Sequence, residues 1–206
     1  MIYSTEEMFL NESMELNVPD ASIFYYPQFF SKQKSTFYLN RLIDSIQWKQ
    51  NTIKMYGKES LVPRLEAWYG EPGKNYSYSG IMMQPIPWTS ELLEIKKEIE
   101  KVSKTVFNSV LINYYRNGND RVAWHSDDEK ELGKNPVIGS ISLGAERNFK
   151  LRHKDYKINS LRNNIILKHG SFLLMKGPTQ HNWMHEIPRT AKPIGPRINL
   201  TFRVIK

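Results

Sequence analysis

The sequence predicts an α+β fold in which helices come first and a β core follows. Before residue 105, apolar residues recur at spacings of three and four, as they do on the buried face of a helix. After residue 105 the period changes to two, and short apolar runs are separated by Gly and Asn. Short strands with such breaks are typical of an antiparallel sandwich or barrel.

Two helices are predicted in the first part of the chain. The first covers residues 31–48, where Ser31 can cap the N-terminus and one face carries Leu39, Leu42, Ile43 and Ile46. The second follows Pro87 and has Glu91 near its start, where a negative charge favours the helix dipole. Its apolar face is formed by Leu92, Ile95, Ile99 and Val102.

The β core is predicted from six period-two segments, which are 107–115, 137–144, 148–153, 164–168, 171–176 and 197–205. Residues 1–30, punctuated by Pro19 and Pro27, are predicted to form an N-terminal arm. No further boundary is visible, so residues 31–206 are expected to form a single domain of ordinary size.

Composition narrows the classes of protein. The chain has 206 residues with 40% hydrophobic and 24% charged residues, which is ordinary for a globular protein. Cysteine is absent, which excludes disulfides and thiolate metal sites. No apolar run is long enough to span a bilayer, so no membrane partner is expected.

The charge is unevenly distributed along the chain. The net charge is +8, yet the first 31 residues contain five acidic residues and neither Lys nor Arg. The rest is therefore strongly basic, as in proteins that bind a polyanion such as nucleic acid. A protein of high pI without such a partner is equally compatible with the charge alone.

The segment 122-VAWHSDDE-129 contains a candidate half of a metal site. In an extended segment the side chains of His125 and Asp127 point the same way, so both can reach one cation. Two histidines and one carboxylate on one face are the ligands of non-haem Fe(II) oxygenases. Taken alone, His-x-Asp is more often a solvated turn, so a second histidine is needed.

The second histidine is sought among the other four in the chain. His153 lies in a basic run and His169 in a turn, whereas 181-HNWMH-185 offers His181 and His185. Their spacing of four would suit zinc on a helix, but the flanking residues do not look helical. We therefore expect one ligand from this pair.

The C-terminal segment adds two arginines on one strand face. Alternation places Arg197, Asn199, Thr201 and Arg203 together, opposite Ile198, Leu200 and Phe202. Two buried arginines require an anion, and a dicarboxylate would meet both through bidentate hydrogen bonds. The alternative is an exposed sheet face with solvated arginines.

Taken together, these motifs resemble the AlkB family of Fe(II)/2-oxoglutarate dioxygenases. The resemblance rests on His125-x-Asp127, a later histidine, and Arg197 and Arg203 in PRINLTFR. It extends over roughly residues 50–206, through 113-NYYRNGNDRVAWHSDDE-129, 140-SISLGAERNF-149, 63-PRLEAWYGE-71 and 75-NYSYSG-80. These longer stretches look most like the eukaryotic-type AlkB homologues that repair alkylated DNA.

The resemblance implies a fold, a metal site and a co-substrate site. The family fold is a double-stranded β-helix, or jelly roll, with the N-terminal helices packed outside and a substrate-binding hairpin lid at about residues 50–80. The family pattern T-x-x-x-W-x-H matches Thr179, Trp183 and His185, which implies that Fe(II) is held by His125, Asp127 and His185. The residues implied to hold 2-oxoglutarate are Asn113, Tyr115, Arg197 and Arg203. Dioxygen is the remaining co-substrate.

The resemblance also implies contacts with a flipped base. Tyr78 would stack on the base, His125 would cover its other side, and Tyr76 would form a hydrogen bond nearby. Asp128 and Glu129 would accept from an exocyclic amino group. Ordinary strand packing and a solvated acidic turn are the alternatives for these pairs.

Further contacts with the nucleic acid are expected outside the base pocket. Tyr56, in the stretch Met55-Tyr56-Gly57, lies where a wedge would fill the gap left by the flipped base; a plain hairpin tip is the alternative. The candidate phosphate contacts are Arg64, Lys150, Arg152, Lys154 and Lys157.

The implied function is oxidative removal of N-methyl groups from 1-methyladenine and 3-methylcytosine in DNA, with release of formaldehyde. The partner would be alkylated DNA, single- or double-stranded. The alternatives are a demethylase of RNA, a protein hydroxylase of the same superfamily, and a non-catalytic nucleic-acid binding module. We expect a monomer, since nothing requires a dimer, in the cytoplasm if the protein is bacterial and in the nucleus if it is eukaryotic.

Overall fold

The computed structural model describes residues 12–55, 58–78 and 81–206, and their secondary structure is dominated by antiparallel strands. The strands are β1 (Met14–Glu15), β2 (Ser22–Tyr26), β3 (Thr52–Met55), β4 (Lys58–Leu61), β5 (Leu65–Gly70), β6 (Tyr76–Tyr78), β7 (Ile81–Met83), β8 (Ser109–Tyr115), β9 (Val122–His125), β10 (Ile138–Gly144), β11 (Arg147–His153), β12 (Arg162–Leu167), β13 (Ser171–Lys176), β14 (Trp183–Ile187) and β15 (Arg197–Arg203). The helices are α1 (Lys32–Ser45), α2 (Ser90–Ser103), α3 (Tyr156–Asn159) and α4 (Thr179–Asn182), with a 3-10 turn at Lys130–Leu132. All six predicted core strands are present, with ends that shift by no more than a few residues.

Two sheets form the body of the molecule. The major sheet has seven strands in the order β1-β2-β13-β10-β15-β8-β5, and the minor sheet has four in the order β12-β11-β14-β9. The strands pair antiparallel throughout both sheets, in the pattern of a jelly roll. Two hairpins lie outside them: β3–β4 falls within residues 50–80, the segment predicted to be a lid, and β6–β7 runs from this segment to residue 83.

Two apolar clusters divide the protein into three layers. The first packs the helices on the outer face of the major sheet; its members include Tyr38, Leu42, Leu92, Ile95, Ile141 and Leu200. The second fills the space between the two sheets; its members include Leu111, Ile138, Leu151, Leu173, Trp183 and Ile187. The helices therefore lie outside the β core, as predicted, and the interior between the sheets is left for the functional site.

The helix ends follow from local capping. Ser31 is the N-cap of α1, and its side-chain oxygen accepts a hydrogen bond from the backbone N–H of Lys34 at 3.2 Å. The helix ends at Ser45, three residues before the predicted end, because Ile46 is extended. Thr89 caps α2 in the same way by accepting from the N–H of Leu92.

The predicted boundary of the N-terminal arm is wrong for residues 22–30. Strand β2 pairs along its whole length with β13, and Ile23 and Tyr25 are buried between the sheets. Phe29 and Phe30 continue into the helix-side cluster. The partner strand lies about 150 residues away in sequence, so local periodicity could not reveal this pairing. Among the described residues, no helix is long and apolar enough to cross a membrane.

Gly144 is a position where the fold requires glycine. Its φ is +92°, and a Cβ added there would lie 2.3 Å from the carbonyl oxygen of Pro196. We expect Gly144→Ala to destabilise the protein by more than the roughly 1–3 kcal/mol of backbone strain alone, because Pro196 must also move. Urea unfolding measures the loss.

The matched control is Gly73→Ala, where φ is +79° but no atom lies within 4 Å of the added Cβ. Gly73→Ala introduces the backbone strain of a positive φ but no steric clash, so it should lower the free energy of unfolding by less than Gly144→Ala does. Equal losses for the two variants would show that the contact with Pro196 is unimportant.

Candidate active site

A cavity lies between the two sheets and is open to solvent on one side. It encloses about 510 Å³, including the open part. Strands β8 and β15 supply its floor from the major sheet, and β9 and β14 supply the opposite wall. The polar residues that line it are Arg64, Asn113, Tyr115, His125, Asp127, Ser140, His185, Arg197, Asn199, Thr201 and Arg203.

The two neighbouring strands of the minor sheet bring three candidate metal ligands together. His125 ends β9 and lies directly opposite His185 of β14 in the strand register. Their rings are 4.2 Å apart between centroids, and Asp127 follows two residues after His125. One ligand atom from each of His125, Asp127 and His185 lies within 4.8 Å of the others. His181 is elsewhere and accepts a hydrogen bond from the backbone N–H of Asn135.

The protonation states of the three residues suit a divalent cation. Burial, reinforced by the neighbouring His125, lowers the pKa of His185 to about 3, and burial also lowers the pKa of His125. Burial alone would raise the pKa of Asp127, but the adjacent guanidinium of Arg203 holds it at about 2. The site therefore presents two neutral imidazoles and one carboxylate at neutral pH.

Hydrogen bonds orient two of these ligands. The Nδ1 of His125 lies 2.8 Å from the carbonyl oxygen of Ala123, and because a carbonyl only accepts, Nδ1 must carry the proton. The Nε2 of His125 is then left to bind a metal. Arg203 donates to the Oδ1 of Asp127 at 2.5 Å, which fixes the carboxylate.

Arg197 forms an anion site in the same cavity. Its guanidinium is almost completely buried, and its Nη2 donates to the Oγ of Ser142 at 2.9 Å. Its Nε and Nη1 are buried and have no hydrogen-bond partner among the described residues. Burial lowers the pKa of Arg197 to about 10, so it remains charged at neutral pH. A buried cation with two unpartnered donor nitrogens fits a carboxylate, which supplies acceptors and the opposite charge.

The neighbours of Arg197 follow the predicted strand faces. Tyr115 is its partner in the β15–β8 register, and the guanidinium lies 4.9 Å from the Tyr115 ring centroid. Asn113 is the partner of Asn199 in the same register, and both line the cavity. Alternation therefore placed these side chains correctly on one surface. The two arginines have different surroundings, because Arg203 contacts Asp127 whereas Arg197 lies beside Tyr115.

Comparison with known proteins decides the family. The family model of the 2OG-Fe(II) oxygenase superfamily matches residues 22–203. Human alpha-ketoglutarate-dependent dioxygenase alkB homolog 3 is 42% identical over 188 residues, which are 87% of this chain and 65% of that protein. This chain belongs to the AlkB family of 2OG-Fe(II) oxygenases. The resemblance predicted from sequence is confirmed.

A second relative supports the family, and a solved structure supports the fold. Human DNA oxidative demethylase ALKBH2 is 41% identical over 158 residues, which are 74% of this chain and 60% of that protein. The solved structure of OsALKBH1 superposes with a TM-score of 0.65 at 16% identity and covers 94% of this chain and all of the other, so it supports the fold. The chain thus spans less than two thirds of the length of either human relative.

Arg64 does not occupy the position predicted for it in this AlkB chain. The phosphate-contact prediction is wrong, because only 4% of Arg64 is exposed. Its Nε donates to the Oδ1 of Asn113 at 2.7 Å, and its Nη2 pairs with the buried carboxylate of Glu66. Arg64 thus lines the cavity and orients Asn113.

The acidic pair after Asp127 lies outside the described lining of the AlkB cavity. Asp128 is half-exposed and forms an ion pair with Lys154 at 3.0 Å. Lys154, a predicted phosphate contact, is therefore paired with a carboxylate in this structure. Asp128 and Glu129 stay predicted base contacts. Tyr56 falls outside the described residues, as do the side chains of Met55, Tyr76 and Tyr78, whose backbones belong to β3 and β6.

Three residues of the AlkB site were missed in the sequence. Ser142 fixes Arg197, Gln180 contacts the backbone of Asp127, and Phe149 stacks on His185 with ring centroids 5.0 Å apart. Alternation along β10 could have placed Ser140 and Ser142 on the cavity face. No pattern in the neighbouring sequence indicates the role of Gln180, because its partner Asp127 lies 53 residues away.

Proposed function

We propose that this chain is an Fe(II)- and 2-oxoglutarate-dependent dioxygenase that removes N-methyl groups from 1-methyladenine and 3-methylcytosine in DNA. The observation that carries the proposal is one cavity holding both the His125–Asp127–His185 cluster and the buried, charged Arg197 with unused donors. The cluster suits Fe(II), and Arg197 suits the distal carboxylate of 2-oxoglutarate.

The chemistry comes from the bound groups. Fe(II), 2-oxoglutarate and dioxygen, once bound, would supply the oxidising power: 2-oxoglutarate would become succinate and carbon dioxide by taking up one oxygen atom, and the other oxygen atom would oxidise the N-methyl group, which would be lost as formaldehyde.

The residues of the chain bind and orient the reactants. His125 and His185 donate neutral nitrogen lone pairs, and Asp127 donates a carboxylate that Arg203 holds ionised. Arg197 receives the far end of the co-substrate, with Tyr115 and Asn113 beside it. Asp127, Arg197 and Arg203 are buried, so water screens their charges less than it would at the surface.

A nucleic-acid substrate is supported by charge and by the named relatives. ALKBH2 is described as a DNA oxidative demethylase. The net charge of this chain is +8, and a groove on the outer face of the minor sheet contains Lys150, Arg152 and Arg162. The Arg152 guanidinium lies between two aromatic rings, 4.2 Å from the Trp124 centroid and 4.5 Å from the Tyr156 centroid, which holds its charge in place.

The deciding experiment measures formaldehyde release from oligonucleotides with Fe(II), ascorbate and 2-oxoglutarate. Matched substrates carry 1-methyladenine in single-stranded DNA, in duplex DNA and in RNA of the same sequence. Release from DNA that requires 2-oxoglutarate supports the proposal. Release from RNA alone would show that the substrate is RNA and not DNA. No release from any of them, with 2-oxoglutarate still bound, would redirect the search to protein substrates.

Binding of DNA is expected to weaken as salt rises. Lysines and arginines that contact phosphates displace the cations condensed on the DNA, and a higher salt concentration makes this displacement less favourable. Lys150→Ala and Arg152→Ala should each lower the slope of log affinity against log salt by about 1. Fluorescence anisotropy of a labelled oligonucleotide across a salt titration measures the slope.

The control is Lys101→Ala on α2, on the opposite side of the molecule, where the lysine is exposed and pairs with Glu98. Its slope should equal that of the wild type. A slope that is insensitive to Lys150 and Arg152 would remove this groove from the binding surface.

A further inference from the structure

Asp127 lies in a loop just beyond the end of strand β9 of the minor sheet. Strand β9 ends at His125, and residues 126–129 belong to neither a strand nor a helix. Arg203 holds the carboxylate of Asp127, but a carboxylate is positioned only if its own backbone is also fixed. Metal geometry tolerates displacements of only about 0.2 Å, so the support of this loop is part of the site.

The backbone of Asp127 is held by the side chain of Gln180. The Oε1 of Gln180 accepts the Asp127 N–H at 2.9 Å, and each residue is only 1% exposed. The Nε2 of Gln180 lies 3.4 Å from the Sδ of Met175 on β13. The amide nitrogen is thus directed at the major sheet and the amide oxygen at Asp127, so the two ends of the side chain have separate partners.

Gln180 is itself carried by a firmly anchored turn. It belongs to α4, whose first residue, Thr179, accepts from the N–H of Ser22 and donates to the carbonyl of Lys176. The turn runs directly into β14, which carries His185. A second bond joins the same two segments, because the Oγ of Ser126 donates to the carbonyl of Trp183 at 2.9 Å. The segment formed by α4 and β14 therefore supplies the proposed ligand His185 and also holds the loop that carries Asp127.

We propose that Gln180 is a positioning residue that sets the distance of the Asp127 carboxylate from His125 and His185, and so sets the affinity for the metal. The inference rests on the metal site of the proposed function. Without the acceptor, the buried N–H of Asp127 has no partner, and the loop must move to reach water. Residues that orient metal ligands in this way typically change metal affinity by about 10- to 100-fold.

The test measures the dissociation constant of Mn(II) by electron paramagnetic resonance in the whole chain, without substrate or turnover. Gln180→Met keeps the length and apolar body of the side chain but removes the acceptor, and should weaken binding by about 10- to 100-fold. Gln180→Glu keeps an oxygen at the acceptor position and should bind Mn(II) much more tightly than Gln180→Met.

The control separates positioning from general stability. Ser35→Ala removes a buried hydroxyl on α1, which donates to the carbonyl of Ser31 on the far side of the major sheet. It should lower the melting temperature without changing Mn(II) affinity.

Two results would overturn the inference, and a third would remove the metal site on which it rests. Wild-type affinity in Gln180→Met overturns the inference. An equal loss in Gln180→Met and Gln180→Glu also overturns it, because the loss would then follow packing and not the acceptor. A wild-type chain that fails to bind Mn(II) removes the proposed metal site itself, which is a separate failure.

Discussion

Asp127→Ala is expected to abolish both metal binding and formaldehyde release. Asp127 is the carboxylate of the His125–Asp127–His185 cluster, and its removal leaves two neutral imidazoles beside the buried cation of Arg203. A dication would then meet net positive charge where it now meets none, since Asp127 and Arg203 balance each other. Loss of a direct ligand should exceed the roughly 100-fold upper effect of losing a residue that only orients one.

The measurements are the Mn(II) dissociation constant and the rate of formaldehyde release. Asp128→Ala is the matched control, because it removes the adjacent carboxylate, which is half-exposed and paired with Lys154. Asp128→Ala should keep the wild-type affinity for Mn(II), whatever it does to substrate binding. If Asp127→Ala binds Mn(II) as the wild type does, Asp127 is not a metal ligand and the cluster has another purpose.

Arg197→Met is expected to reduce the affinity for 2-oxoglutarate by a large factor. Removing one partner of a buried, hydrogen-bonded charge pair costs about 2–5 kcal/mol, which is roughly 30- to 5,000-fold in the dissociation constant. Arg197→Lys keeps the charge but loses the fork of donors, so it should fall between the wild type and Arg197→Met. Isothermal titration with Mn(II) present measures the dissociation constant directly.

The same substitution should have little effect on the stability of the ligand-free protein, or should raise it. In the free chain, two donor nitrogens of Arg197 are buried without a partner among the described residues, and an apolar side chain of similar length removes that cost. A melting temperature that is unchanged or higher, together with lost 2-oxoglutarate affinity, is therefore the expected pair of results. Arg189→Met, at an exposed arginine that contacts Asn119, is the control and should keep both properties. Unchanged 2-oxoglutarate affinity in Arg197→Met would place the co-substrate elsewhere.

Much of the site could be predicted because strand alternation is a local property. A period of two along β15 is sufficient to put Arg197 and Arg203 on one face and Leu200 on the other, whatever the strand pairs with. His-x-Asp also lies within three residues, so it could be recognised as half of a site. The choice between His181 and His185 was different, because residue types alone left both open until the family pattern favoured His185.

The sequence by itself therefore determined the two long helices, the strand faces, the family and the types of ligand. The predicted order of helices first and strands afterwards was wrong, because β1 and β2 precede α1 and five more strands lie between α1 and α2. Only the tertiary structure decided the register that places His185 opposite His125, the entry of β2 into the major sheet, and the burial of Arg64 beside Asn113. It also revealed the bond from Gln180 to Asp127. The reason is physical: periodicity is set by neighbours two to four residues apart, whereas pairing and burial depend on segments that meet only when the chain has folded.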